Sequence, residues 1–121
     1  TIGVEVVKDA VKDANENKKL NNLESIQFIE EKSENVVGKL TKEHFDIIIV
    51  DPPRKGMDEK VVDAIIKSTA KKLVYISCDP ATLARDLKML TENGFGVEDV
   101  KLVDMFAKTM HVETIALIQK M

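Results

Sequence analysis

Lys72-Leu73-Val74-Tyr75-Ile76, running directly into Ser77-Cys78-Asp79-Pro80-Ala81, is the stretch that decides the fold. The first five residues are an apolar, β-branched run of interior-strand length. Asp79-Pro80 is a helix-start signal: an acceptor for the N-cap, then a proline whose fixed φ suits the first turn. Ala81-Thr82-Leu83-Ala84-Arg85-Asp86-Leu87-Lys88-Met89-Leu90 continues with leucines on one helical face. A strand that turns directly into a helix is the repeating half of a parallel α/β sheet.

Working outward, the same grammar recurs on both sides. Phe45-Asp46-Ile47-Ile48-Ile49-Val50 is apolar on both faces apart from Asp46, the pattern of a central, parallel strand. Asp51-Pro52-Pro53-Arg54-Lys55-Gly56 breaks it, and a helix from Met57 or Asp58 to Ala70 follows, with Val61, Val62, Ile65 and Ile66 at core spacing. Upstream, Ile2–Val6 and Ile26–Ile29 read as strands around a helix from Val7 to Leu20 that ends at Asn21-Asn22. Ser33–Leu40 is a weaker helical stretch. Downstream, Asn93-Gly94 caps the cysteine-bearing helix. Gly96–Met105 and His111–Gln119 are two strands with no helix between them, so they should pair antiparallel. The expected architecture is an open α/β sheet with right-handed crossovers and a reversed pair at its C-terminal edge.

Bulk composition narrows the class. At 121 residues the chain is one domain or part of one, and 44% hydrophobic residues suffice for a core. With aromatics at 4% and no Trp, that core must be aliphatic. A formal net charge of −3 argues against this stretch supplying most of the affinity for a nucleic acid, because phosphate binding is driven by Lys and Arg. Charged residues at 32% and no apolar run of membrane-spanning length suit a soluble, intracellular protein. One cysteine excludes an internal disulfide, and with two histidines at no ligand spacing there is no case for a metal.

In open α/β sheets ligands bind beyond the carboxyl ends of the strands, which would gather Glu5, Asp51 and Cys78 on one edge. Cys78 sits just outside a helix N-terminus, where oriented N–H groups and the helix dipole favour a thiolate; a small buried hydrophobe is the alternative. A strand-end acid such as Glu5 accepts hydrogen bonds from ribose hydroxyls in nucleotide-binding folds, or is merely solvated. Two prolines after a strand give a stiff turn that restricts Asp51 to extended geometry, for a ligand or simply to end the strand. His111, Glu113 and Ile115 share one strand face, where Glu113 is either a general base or an edge charge that discourages aggregation.

Taken together, Asp51-Pro52-Pro53-Arg54-Lys55-Gly56, Ser77-Cys78-Asp79-Pro80-Ala81-Thr82-Leu83-Ala84-Arg85-Asp86-Leu87, Asp104-Met105-Phe106 and His111-Val112-Glu113 form a set. In order and approximate spacing, the chain resembles the catalytic domain of the S-adenosylmethionine-dependent RNA uracil-5-methyltransferases, the enzymes that make 5-methyluridine in transfer and ribosomal RNA. The resemblance covers essentially the whole chain, and the cysteine segment is its most specific part. It implies a Rossmann-like methyltransferase sheet, mostly parallel with an antiparallel C-terminal edge pair, lacking its first strand and glycine-rich loop. Residues 1–121 would be an N-terminally truncated part of a single catalytic domain. It implies Cys78 as the covalent nucleophile and Glu113 as the general base. Glu5 would hold the ribose of S-adenosylmethionine, and Asp51 would line the pocket where cofactor and base meet.

The same resemblance implies an RNA substrate, no metal, no membrane and a cytoplasmic protein, with the isolated fragment inactive because its cofactor pocket is incomplete. Arg85 reads more readily as a solvated helix residue than as a contact in the active-site network. Arg54, Lys55, Arg85 and Lys108 are candidates for a small basic rim. Ala107-Lys108 and Glu30-Glu31-Lys32-Ser33 depart from the usual family pattern, and no adenine contact is assigned to the latter. The missing strand would normally lie between Ile2–Val6 and Phe45–Val50, so these edges should pair directly or mediate a homo-oligomer. Two other functions remain open: an amino-methyltransferase acting on adenine or guanine, which needs no cysteine, and a non-catalytic nucleotide- or protein-binding module.

Overall fold

A computed structural model describes residues 1–104 and 113–121. The elements run β1 (Ile2–Glu5), α1 (Lys8–Leu20), β2 (Gln27–Glu30), a 3-10 turn (Ser33–Asn35), α2 (Val37–Lys42), β3 (Ile47–Val50), α3 (Glu59–Lys67), β4 (Lys72–Ser77), α4 (Pro80–Thr91), β5 (Phe95–Val103) and β6 (Glu113–Lys120). The alternation read from the sequence is present throughout, with helices accompanying a mixed parallel and antiparallel sheet. The expected start of the last strand at His111, the Met105-Phe106 pair and Ala107-Lys108 lie outside the described residues.

The chain divides into two compact units, Thr1–Val37 and Gly38–Met121. In the first, β1 and β2 pair in parallel from Ile2↔Gln27 to Glu5↔Glu30. Gly3 lies in close approach there: a Cβ on it would fall 2.8 Å from the Phe28 ring, which would have to shift. α1 ends as expected at Asn21-Asn22, with Asn22 in the left-handed region at φ 53°.

The second unit holds a four-stranded sheet in the order β3-β4-β6-β5. β3 and β4 are parallel; β6 inserts between β4 and β5 and is antiparallel to both. The antiparallel pairing of the last two strands follows from their short connection. Leu73, Tyr75 and Ser77 of β4 are buried on the same face as Thr114, Ala116 and Ile118 of β6. Val61, Val62 and Ile65 of α3 with Leu83 and Leu90 of α4 complete an aliphatic core.

One expectation is corrected. β3 is parallel but not central: it is an edge strand, and Ile47 and Ile49 are 55% and 68% exposed. An apolar run marks a strand without saying how many neighbours it has. β1 and β3 belong to separate sheets.

Candidate active site

The strand ends bring three of the four sequence candidates to one edge of the second unit. β3 and β4 run in parallel and stop at Val50 and Ser77, so Asp51 and Cys78 leave the sheet on the same side. β6 runs the opposite way and begins there with Glu113. The last registered pair between β4 and β6 is Ser77↔Thr114. Cys78 is the residue after Ser77 and Glu113 the residue before Thr114, so the two flank that final pair. Burial alternates along β6, with Thr114, Ala116 and Ile118 buried, so Glu113 shares the other face with Ile115 and Leu117. Among the described residues, Glu113 Oε2 is buried with no hydrogen-bond partner. An unpaired buried acceptor costs free energy, and such groups are uncommon in folded proteins.

Cys78 is a half-buried free thiol, held by its neighbours. The Ser77 hydroxyl donates to the Asp79 carbonyl at 2.8 Å and accepts from the Asp79 N–H at 3.1 Å, pinning the backbone on either side of the cysteine. Asp79 caps α4 as expected, its Oδ1 accepting from the N–H groups of Ala81 at 2.9 Å and Thr82 at 3.2 Å. The Leu83 N–H bonds the Asp79 carbonyl, and Pro80 has no N–H to give. The first-turn donors are therefore already satisfied, and α4 offers Cys78 no free N–H. Ser77 was not singled out in the sequence; its signal is a serine two residues before an N-cap acid.

Asp51 is exposed, and the loop after it is clamped from behind. The Gly56 N–H bonds the Pro53 carbonyl at 2.9 Å, closing a turn that needs Gly56 at φ +80°. The Thr82 hydroxyl donates to the Arg54 carbonyl at 2.7 Å, and Arg85 Nη2 donates to the Lys55 carbonyl at 2.8 Å. Asp86 lies beneath, fully buried. Its Oδ2 accepts from the Met57 N–H at 2.9 Å and from the Tyr75 hydroxyl at 2.6 Å, while Oδ1 accepts from Arg85 Nε and Nη2 at 3.1 and 2.9 Å. Arg85 is thus a tether for the loop rather than a purely solvated residue. Burial pushes the Tyr75 hydroxyl well above its ordinary range, reinforced by the bond to Asp86 and its charge. Asp86 was missed as a functional candidate, although Leu83, Asp86 and Leu90 have the spacing of one helical stripe. An acid on that stripe is the signal.

Glu5 belongs to the first unit. It is exposed at the end of β1, and its Oε1 accepts from the Val7 N–H at 3.1 Å, which leaves Oε2 for a further donor. Of the basic candidates, Arg54, Lys55 and Arg85 border the Asp51 loop, and Lys108 is outside the described residues. Among the described residues no cluster of three or more His, Cys, Asp or Glu side chains could hold a metal ion, and no helix is long and apolar enough to cross a membrane.

A family model described as tRNA (uracil-5-)-methyltransferase matches residues 1–121. An RNA methyltransferase of Enterococcus faecalis, described as uncharacterized, is 43% identical over 120 residues, which cover 98% of this chain and 26% of that protein. A similarly described protein of Caldanaerobacter subterraneus is 46% identical over 121 residues, covering 98% of this chain and 27% of its own length. The chain therefore spans about a quarter of the curated relatives it matches. Among solved structures, the Pyrococcus abyssi tRNA (uracil-54, C5)-methyltransferase in complex with S-adenosyl-L-homocysteine superposes with a TM-score of 0.84 at 32% identity. The match covers 97% of this chain and 28% of that one. An rRNA methylase from Streptococcus thermophilus, at TM-score 0.73 and 12% identity, shares the fold.

Proposed function

Because the chain belongs to the tRNA (uracil-5-)-methyltransferase family, we propose that it is part of a catalytic domain that methylates carbon 5 of a uridine in transfer or ribosomal RNA. S-adenosylmethionine is the methyl donor on this reading; the Pyrococcus abyssi relative binds its demethylated product. The observation that supports the proposal is the β4–β6 register: Cys78 and Glu113 flank its final pair, Ser77↔Thr114, and among the described residues Glu113 Oε2 has no hydrogen-bond partner.

Carbon 5 of uracil is a weak nucleophile, and a covalent thiolate adduct overcomes this. The Cys78 thiolate adds to carbon 6, and the electron pair of the C5–C6 double bond moves onto the carbonyl oxygen at carbon 4. Carbon 5 then takes the methyl group, while the pair of the broken S–CH3 bond stays on the donor's sulfur. Glu113 accepts the proton from carbon 5; the C–H pair restores the C5–C6 double bond as the C6–S bond breaks and the thiolate returns. Asp51 lines the pocket from its proline-stiffened turn, and Glu5 offers its free oxygen to the ribose hydroxyls. The uridine must be single-stranded or flipped to expose carbon 6, which favours loops. Arg54, Lys55 and Arg85 supply a modest basic rim for the RNA. A cytoplasmic location, where RNA is available, goes with this reading.

We also infer that the chain self-associates through the exposed edge of β3, where Ile47 and Ile49 lie open. Sedimentation that stays monomeric at rising concentration would sink that inference.

The decisive experiment incubates the full-length protein that carries this stretch, wild type and Cys78→Ala, with S-adenosylmethionine and RNA containing 5-fluorouridine. Fluorine cannot leave carbon 5 as a proton, so the adduct should survive a denaturing gel for wild type only. No adduct, with RNA and cofactor binding demonstrated, turns the assignment to an amino-methyltransferase or a non-catalytic module.

A further inference from the structure

The ladder that joins β3 to β4 ends at Val50↔Tyr75, so the sheet does not fix the loop beyond it. Past that point, among the described residues, the hydrogen bonds from loop to α4 run through three side chains: Thr82, Arg85 and Asp86. Asp86 is the hub. Its carboxylate joins the loop at Met57, β4 at Tyr75 and α4 at Arg85, and it is fully buried. Gly56 closes the clamp from the other side: a Cβ there would fall 2.7 Å from Asp86 Oδ2, would strike Arg85 Nη2 and would be strained at φ +80°.

We infer that Asp86 is a positioning residue, whose buried carboxylate locks residues 54–57 onto α4 and β4 so that Asp51 and Cys78 meet the substrate as one rigid body. This rests on the uracil-methylation reading for what is positioned, though not for the clamp itself. All four donors that reach Asp86 are N–H or O–H groups, two at each oxygen. Asparagine offers one acceptor oxygen and turns an NH2 toward donors on the other side. Asp86→Asn therefore opposes the clamp at nearly constant volume. Small misplacements of reacting groups cost large factors in rate.

The test uses the full-length protein and two readouts. Hydrogen exchange is followed in a peptide spanning residues 54–57 and in β6, and the rate of adduct formation with 5-fluorouridine RNA is measured alongside. In Asp86→Asn, exchange over 54–57 should accelerate about tenfold or more, with β6 unchanged, and adduct formation should slow by about tenfold or more. Lys120→Met is the stability control. Lys120 donates to the Ser68 and Ile66 carbonyls at the end of β6 farthest from Glu113, and its loss should spare exchange over 54–57 and the adduct rate.

Exchange that rises equally in β6, protection retained over 54–57, or an adduct rate no slower than Lys120→Met would each overturn the inference. If wild type forms no adduct, the methylation reading fails and the exchange comparison alone decides the clamp. Should Asp86→Asn not fold, Arg85→Ala removes the bonds to the Lys55 and Met57 carbonyls from a half-exposed side chain. Unchanged exchange over 54–57 in that variant overturns the inference as well.

Discussion

The first unit, Thr1–Val37, and the second, Gly38–Met121, are built from the same strand–helix grammar, yet only the second has an interior. α1 carries Val11 and Ala14 at helical spacing and buries nothing, whereas α3 buries Val61, Val62, Ala64 and Ile65. Two paired strands and one long helix enclose too little apolar surface to form a dry core. Local design differs in the same sense. Val7 stands at the N-cap of α1 with no side-chain cap, while Asp58 caps α3 and Asp79 caps α4 with two hydrogen bonds. Replacing such a cap by alanine costs about 1 kcal/mol. The difference bears on where the candidates lie: Cys78, Glu113 and the clamped Asp51 loop all belong to the unit with the buried core.

The largest expected effect puts the two units side by side. Leu90 is fully buried, so Leu90→Ala should destabilise the second unit by about 2–5 kcal/mol. Phe28→Ala, in the first unit, should cost the unfolding of the second less than about 1 kcal/mol. Denaturant melts followed by near-ultraviolet signal from Tyr75 read both, and equal losses would break the contrast.

A smaller effect sharpens it through pH. The folded state holds the Tyr75 proton more tightly than the unfolded chain does, first because of burial and then because of Asp86. That contribution to stability is whole below the unfolded tyrosine pKa of about 10. It is lost as pH rises from there through the higher folded value. Stability measured across this window should fall in wild type and fall less steeply in Tyr75→Phe; parallel curves would show that Tyr75 does not drive the loss. Glu31, in the first unit, is shifted the other way by its bonds from Asn35 and Lys32. Being fully exposed, it gives that unit no comparable handle.

Most of the local structure was legible without coordinates, for identifiable reasons. Strand and helix spacing, the Asp79-Pro80 start, the Asn21-Asn22 stop and the antiparallel final pair are all written within a few residues of where they act. The candidates Asp51, Cys78 and Glu113 were legible too, because each stands at a strand end or start. Less legible was what surrounds them. Arg85 looked like a solvated helix residue because its spacing says nothing of the loop it reaches, and Asp86 went unremarked although its stripe is apolar.

By itself, the sequence determined the elements, their order and the standing of the candidate side chains at strand ends, since these depend on periodicity, capping and backbone restriction over short range. Only the tertiary structure decided which strands are neighbours. It put β6 between β4 and β5, so that Glu113 and Cys78 flank the same final strand pair, and it left β3 at an edge with Ile47 and Ile49 exposed. It also decided that the helix donors near Cys78 are spent on Asp79, and that Asp86 is sealed under the Asp51 loop. Strand order and burial are settled by contacts between residues tens of positions apart. No local pattern records which of several compatible partners each apolar face will meet.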